Sequence, residues 1–208
     1  MQANPGKLSR KIVGILVIFF LVATVAIGMT LVISWQLEGV AAAINDAGSQ
    51  RMRTYRMGHL MARIQEARGQ EAAYAQSLSD EMLRFDKVLR DLALGDPARP
   101  LSSPRNGDVM QRLKTVEQSW QSAVRPLVAG YLAGGVDDRE ALLDRFDGEL
   151  ERFVSSINEL VLAMEHSYAD DTNLLRTVQA ALVLLAIVGT AVLISFLVRL
   201  VIRPVGIL

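Results

Sequence analysis

Two long apolar runs bracket the chain, and everything between them is amphipathic. The runs extend from Ile12 to Ser34 and from Val178 to Val198, each over twenty residues with no charged side chain. At ~1.5 Å per residue such a run crosses the ~30 Å hydrocarbon layer as a helix. We therefore expect transmembrane helices over residues 12–34 and 178–201, a tail over 1–11 and an exit segment over 202–208. The intervening residues 35–177, about 143 of them, carry nearly all the charge and belong in water. Their apolar positions recur at 3-4-3-4 spacing. One segment has Leu78, Met82, Phe85, Leu89 and Leu92; the next has Val109, Leu113, Val116, Trp120, Ala123 and Leu127. The last has Leu143, Phe146, Leu150, Phe153, Ile157, Leu160 and Met164. This spacing lays one narrow stripe along each helix, the pattern of an antiparallel four-helix bundle. Nothing alternates with period two, so no strand is needed.

Breakers delimit the segments. Gly69 marks a joint, Gly95 to Gly107 with Pro97, Pro100 and Pro104 marks a loop, and Gly134-Gly135 marks a turn. Asp137 and Asp138 supply a helix N-cap after that turn. Pro126 should kink or end the third helix near Arg125. Neither membrane boundary contains a breaker, which predicts that the first and fourth helices continue into the spans.

Charge adds an orientation. Lys7, Arg10 and Lys11 precede the first run, and Arg199 and Arg203 follow the second. The positive-inside rule then places both termini in the cytoplasm and the central domain outside it. The first run is too long for the ~7–15-residue core of a cleaved signal peptide, and Trp35 follows it as an interfacial anchor. Cysteine is absent, which removes disulfides, thiolate metal sites and a cysteine nucleophile. No basic stripe with interleaved aromatics exists, so nucleic acid is not an expected partner. The two histidines, His59 and His166, read as structural or solvated, and Asp137, Asp138, Glu140 and Asp144 as favourable charge at a helix N-terminus. No phosphate-binding glycine loop or carboxylate pair points to catalysis, and no cofactor is expected.

The unusual segment is Ile44 to Met57. Gly48 lies inside a helix, where it costs ~1 kcal/mol relative to alanine, and Arg51, Arg53 and Arg56 follow with no acid among them. Ile44, Gly48, Arg51 and Tyr55 are spaced to share one face. A glycine on a packing face admits a second helix closely, and the arginine one turn on then points into the seam. In a parallel two-fold homodimer, two Arg51 side chains would face each other. At ~6 Å and an effective dielectric near 20 their repulsion is ~3 kcal/mol, which a planar oxyanion relieves through charge-assisted hydrogen bonds.

The same segment resembles the ligand box of nitrate/nitrite-sensing histidine kinases of the NarX/NarQ type, through Ala47, Gly48, Ser49, Arg51, Met52, Thr54, Tyr55 and Arg56. Phe153, Val154, Ile157, Glu165, Leu175, Arg176 and Gln179 resemble the family's second box, and Arg203-Pro204 with Leu208 is similar to the start of a HAMP linker. Gln50-Arg51-Met52 is closer to the related type IV pili methyl-accepting receptors. The resemblance implies an anion held by Arg51 with the backbone around Gly48, and Ser49, Met52 and Tyr55 in support. It also implies a sensor with no enzymatic activity of its own in this chain, signalling to a response regulator through a kinase region. The leading expectation is a nitrate or nitrite sensor of a two-component kinase, a homodimer embedded in the bilayer of the inner membrane of a Gram-negative bacterium, with its central domain in the periplasm. The alternatives are the ligand-binding part of a methyl-accepting chemoreceptor and a membrane-anchored helical module that binds a protein.

Overall fold

A computed structural model describes residues 5–66, 69–99 and 101–198. The HAMP-like segment 202–208, with Arg199 and Arg203, lies outside the described residues. The order of elements is α1 (Pro5–Glu66), α2 (Glu71–Leu94), β1 (Gly95–Asp96), β2 (Leu101–Ser102), α3 (Gly107–Ser119), a π turn (Trp120–Val124), α4 (Arg125–Ala133) and α5 (Val136–Leu197). The fold is all-α apart from the two short strands. Helices α1 and α5 each run for 62 residues without interruption, as the missing breakers at both boundaries require.

The chain divides into two compact units, residues 1–35 with 171–208 and residues 36–170. The first contains the apolar stretches of α1 and α5, both long and apolar enough to cross a membrane. Their large side chains are exposed: Phe20 is 69% accessible and Val25 68%, which suits lipid and not water. Gly189 faces Phe19 closely enough that a Cβ would lie 3.4 Å from the ring.

The second unit holds the core. Leu78, Phe85, Leu89 and Leu92 of α2, Val109, Leu113 and Val116 of α3, and Phe146, Phe153, Ile157, Leu160 and Met164 of α5 are buried together, as their spacing predicts. From α1 the inward stripe is Ala47, Gln50, Thr54, Met57, Met61 and Ile64, again 3-4-3-4-3, and it includes two polar residues. At the centre Phe85 stacks on Trp120 with ring centroids 4.0 Å apart, and Phe153 completes the cluster at 5.7 and 6.0 Å. Tyr131 is fully buried and donates to the carbonyl of Met61 at 2.5 Å, fastening α4 to α1.

Pro126 acts as expected, by a particular route. The helix widens to an i→i+5 turn in which the Arg125 N–H donates to Trp120 O, and α4 restarts with Pro126 in its first turn, where a missing N–H costs least. The inserted residue shifts the stripe, so that Val124 and Val128 are buried while Ala123 is only half-buried. Asp86 pins the turn from both ends, accepting from Trp120 Nε1 at 2.7 Å and from Arg125 Nε at 3.1 and 3.2 Å.

The expectation of no strand is corrected in the 95–107 loop, where Gly95 pairs with Ser102 and Asp96 with Leu101. Gly95 permits this with φ +83, and a Cβ there would come within 2.8 Å of Leu101 O. Arg99 then reaches α1 and bonds Asp46 at 2.9 Å, a contact that raises the guanidinium pKa. Asp137 and Asp138 lie inside the first turn of α5, which starts at Val136, so neither is the cap.

Two outcomes follow from this packing. Gly95→Ala should lower stability by about 1–3 kcal/mol, measured by urea unfolding through Trp120 fluorescence in a Trp35→Phe background. Burial pushes the Tyr131 phenol above its ordinary range, against a smaller opposing influence of Arg139. A raised folded-state pKa means its contribution is intact below about pH 10 and lost as pH climbs past the folded value. The melting midpoint should therefore fall more steeply above pH 10 in the wild type than in Tyr131→Phe.

Candidate functional site

The inward stripe of α1 fixes the rotation of that helix, and so decides where its three clustered arginines go. Gln50 and Thr54 are fully buried: Thr54 Oγ1 donates to Gln50 O at 2.8 Å, and Gln50 Nε2 donates to Phe85 O at 3.4 Å. Arg53 and Arg56 then project toward α2. Their partner is Glu81, 5% exposed, which receives Arg53 Nη1 at 2.7 Å and Arg56 Nε at 3.3 Å. A carboxylate in that position requires such pairing, because an uncompensated buried charge is costly. The cluster read as lacking an acid is thus partly neutralised across the α1–α2 seam.

Arg51 is different. It is exposed; its Nη1 donates to Asn158 Oδ1 of α5 at 3.0 Å, and its Nε lies 3.4 Å from Gly48 O. Among the described residues no carboxylate lies within 4.0 Å of its guanidinium, so it keeps its full charge on an open face. Met52, at 72% exposure, and Tyr55, at 45%, lie on the outward side of α1 with it. Ser49 is turned back into its own helix and donates to Asp46 O at 2.7 Å, away from Arg51.

Gly48 borders open space: a Cβ there would meet only Arg51 Nη2, at 3.5 Å. On α1 a close approach is made instead at Gly58, where a Cβ would come within 3.0 Å of Phe146 on α5. The structure therefore brings Gly48 and Arg51 together, leaves Met52 and Tyr55 beside them, and separates Ser49.

Sequence reasoning missed Glu81 and Asn158. Glu81 was detectable, since Leu78, Glu81 and Phe85 continue the 3-4 spacing and put an acid on a core position that Met82 was thought to occupy. Asn158 carried no such signal. His59 and His166 are exposed, and among the described residues no cluster of three potential metal ligands exists.

Residues 32–146, from the end of the first apolar run through the opening turns of α5, match the family PilJ, the N-terminal region of type IV pili methyl-accepting chemotaxis transducers. The chain belongs to the PilJ family. Arg51, Gly48 and Glu81 all fall inside the matched region. PilJ is a non-catalytic sensory region, and with the two candidate spans it makes this a membrane-anchored signal-transduction protein. The PilJ match supports the chemoreceptor alternative better than the leading expectation; nitrate binding and a histidine kinase output receive no support from it. No curated protein sequence matches the chain closely enough to count as a relative.

The geometry separates folding from binding. Glu81→Ala should destabilise by about 1–3 kcal/mol, the exposure of Arg56 holding it below the cost of a fully buried pair. Arg51→Ala should stay within about 0.5 kcal/mol of wild type. Urea unfolding of both variants checks this.

Proposed function

We propose that this chain is the sensory part of a methyl-accepting chemotaxis transducer that binds a small planar oxyanion between two copies of α1. The observation that carries the reading is Arg51: a guanidinium within the PilJ-matched region, on an open face, with no acidic partner among the described residues and with Gly48 beside it. In the proposed arrangement, residues 12–34 and 178–201 span the inner membrane with both termini in the cytoplasm. The outer part forms an antiparallel four-helix bundle in the periplasm, and two chains pair in parallel along α1.

The face around Arg51 suits such pairing. Met52 and Tyr55 supply apolar area that a second copy would cover, and Gly48 leaves room for its backbone. Two facing guanidiniums repel until an anion bridges them. The bridging anion competes with Asn158 for Arg51, so that binding loosens the α1–α5 hydrogen bond. Both helices run on uninterrupted into the apolar stretches, and an offset of ~1–2 Å between them is the scale of known helix shifts in signalling. The ligand moves that equilibrium only by its preference for one of the two states.

Isothermal calorimetry on the full chain in nanodiscs, with nitrate, nitrite and chloride as probes, tests the reading. Nitrate or nitrite should bind in preference to chloride. Arg51→Ala should weaken binding at least about tenfold, the loss expected for one or two charge-assisted hydrogen bonds. Equal affinity in wild type and Arg51→Ala would reject the site.

A further inference from the structure

The π turn at Trp120–Val124 lines a groove with no part in the Arg51 site. π turns are unfavourable and occur disproportionately at functional sites. Pro126 also withholds one backbone donor from the turn. Trp120 O takes the Arg125 N–H; continuing that pattern, Gln121 O would take its proton from residue 126, a proline with none to give. In α register the loss falls on Ser122 O.

Between this turn and α5 lies a groove of about 520 Å³, within the ~300–1,000 Å³ typical of small-molecule sites. Ala123, Pro126, Leu127 and Leu142 give it apolar walls. Two charged residues of α5 stand one turn apart on its border. Arg145 is exposed and, among the described residues, has no hydrogen-bond or ion-pair partner. Glu149 does not pair with it and instead receives Arg152 at 2.7 and 2.9 Å. Gly148, between them in sequence, keeps the groove open, since a Cβ there would meet nothing within 4 Å. A smaller cleft, of about 130 Å³, is already satisfied internally, because Arg112 bonds both Asp108 and Glu159.

We infer that this groove binds a free α-amino acid with an aliphatic side chain. The carboxylate meets Arg145, the ammonium meets Glu149 in competition with Arg152, and the side chain lies on the apolar walls. A simple anion would use Arg145 alone and leave Glu149 without a role. A zwitterion matches both charges at once. The site uses none of the residues of the anion site, and it lies on α5, the second helix that continues into an apolar span.

The test is thermal melting of the full chain in nanodiscs with L-leucine as probe. At 10 mM the wild-type midpoint should rise by roughly 3–8 °C for a millimolar Kd. Gly148→Leu adds side-chain bulk at the border of the groove, where a Cβ meets nothing within 4 Å, Arg145→Gln removes the carboxylate partner, and both should abolish the shift. Arg51→Ala should retain it, which separates this site from the anion site. 4-Methylpentanoate, which lacks the amine, should bind at least tenfold more weakly. No shift in the wild type, an undiminished shift in Arg145→Gln or in a Gly148→Leu that keeps its helicity, or equal binding of 4-methylpentanoate would overturn the assignment.

Discussion

The rotation of α1 about its own axis is the constraint on which the rest of the domain depends. Two devices hold it. One is the apolar stripe through Ala47, Met57, Met61 and Ile64, and the other is the buried carboxylate of Glu81 gripping Arg53 and Arg56. Residues advance by 100° each around a helix. Once Gln50 and Thr54 face inward, Arg51 falls on the flank of α1 toward Asn158 of α5, with Tyr55 further out on the same side. One polar member of the stripe sharpens this. Gln50 Nε2 reaches Phe85 O on α2, a bond that a turned helix would forfeit, whereas Thr54 is satisfied within α1 by Gln50 O.

That arrangement divides labour among three arginines that look equivalent in a row of letters. Arg53 and Arg56 hold the fold; Arg51 contributes little to it and keeps an unneutralised charge. A group with no structural duty is free to respond to a ligand, and its one strong partner, Asn158, belongs to α5. Helix α5 is also where the groove by the π turn lies, bordered by Arg145 and Glu149. Both proposed sites thus act on the same long helix from different positions.

Much of the architecture was legible in the residues. The 3-4 spacing located α2, α3 and α5 and most of their buried residues, and the absence of breakers correctly implied that α1 and α5 are continuous. The failures have physical causes. The strand pair at Gly95–Asp96 and Leu101–Ser102 is too short to show any alternation. The π turn consumes an extra residue, so the stripe predicted through Ala123 slips to Val124. The close approach of Gly58 to Phe146 was not anticipated, because a glycine's packing partner is invisible without the facing helix. At the site, Arg51 and Gly48 stood out by composition alone, whereas Glu81 lay hidden in a core stripe and Asn158 is set by tertiary contact. The family match moved the functional reading from nitrate-sensing kinases toward chemotaxis transducers.

The most direct test of the account is whether the outward face of α1 meets its own copy. The chain contains no cysteine, so single replacements report without background. Oxidation of Gly48→Cys in native membranes should yield a disulfide-linked dimer whose rate of formation changes with added nitrate or nitrite, while Arg84→Cys on the exposed side of α2 should remain monomeric. Cross-linking at Arg84 with none at Gly48 would contradict the account.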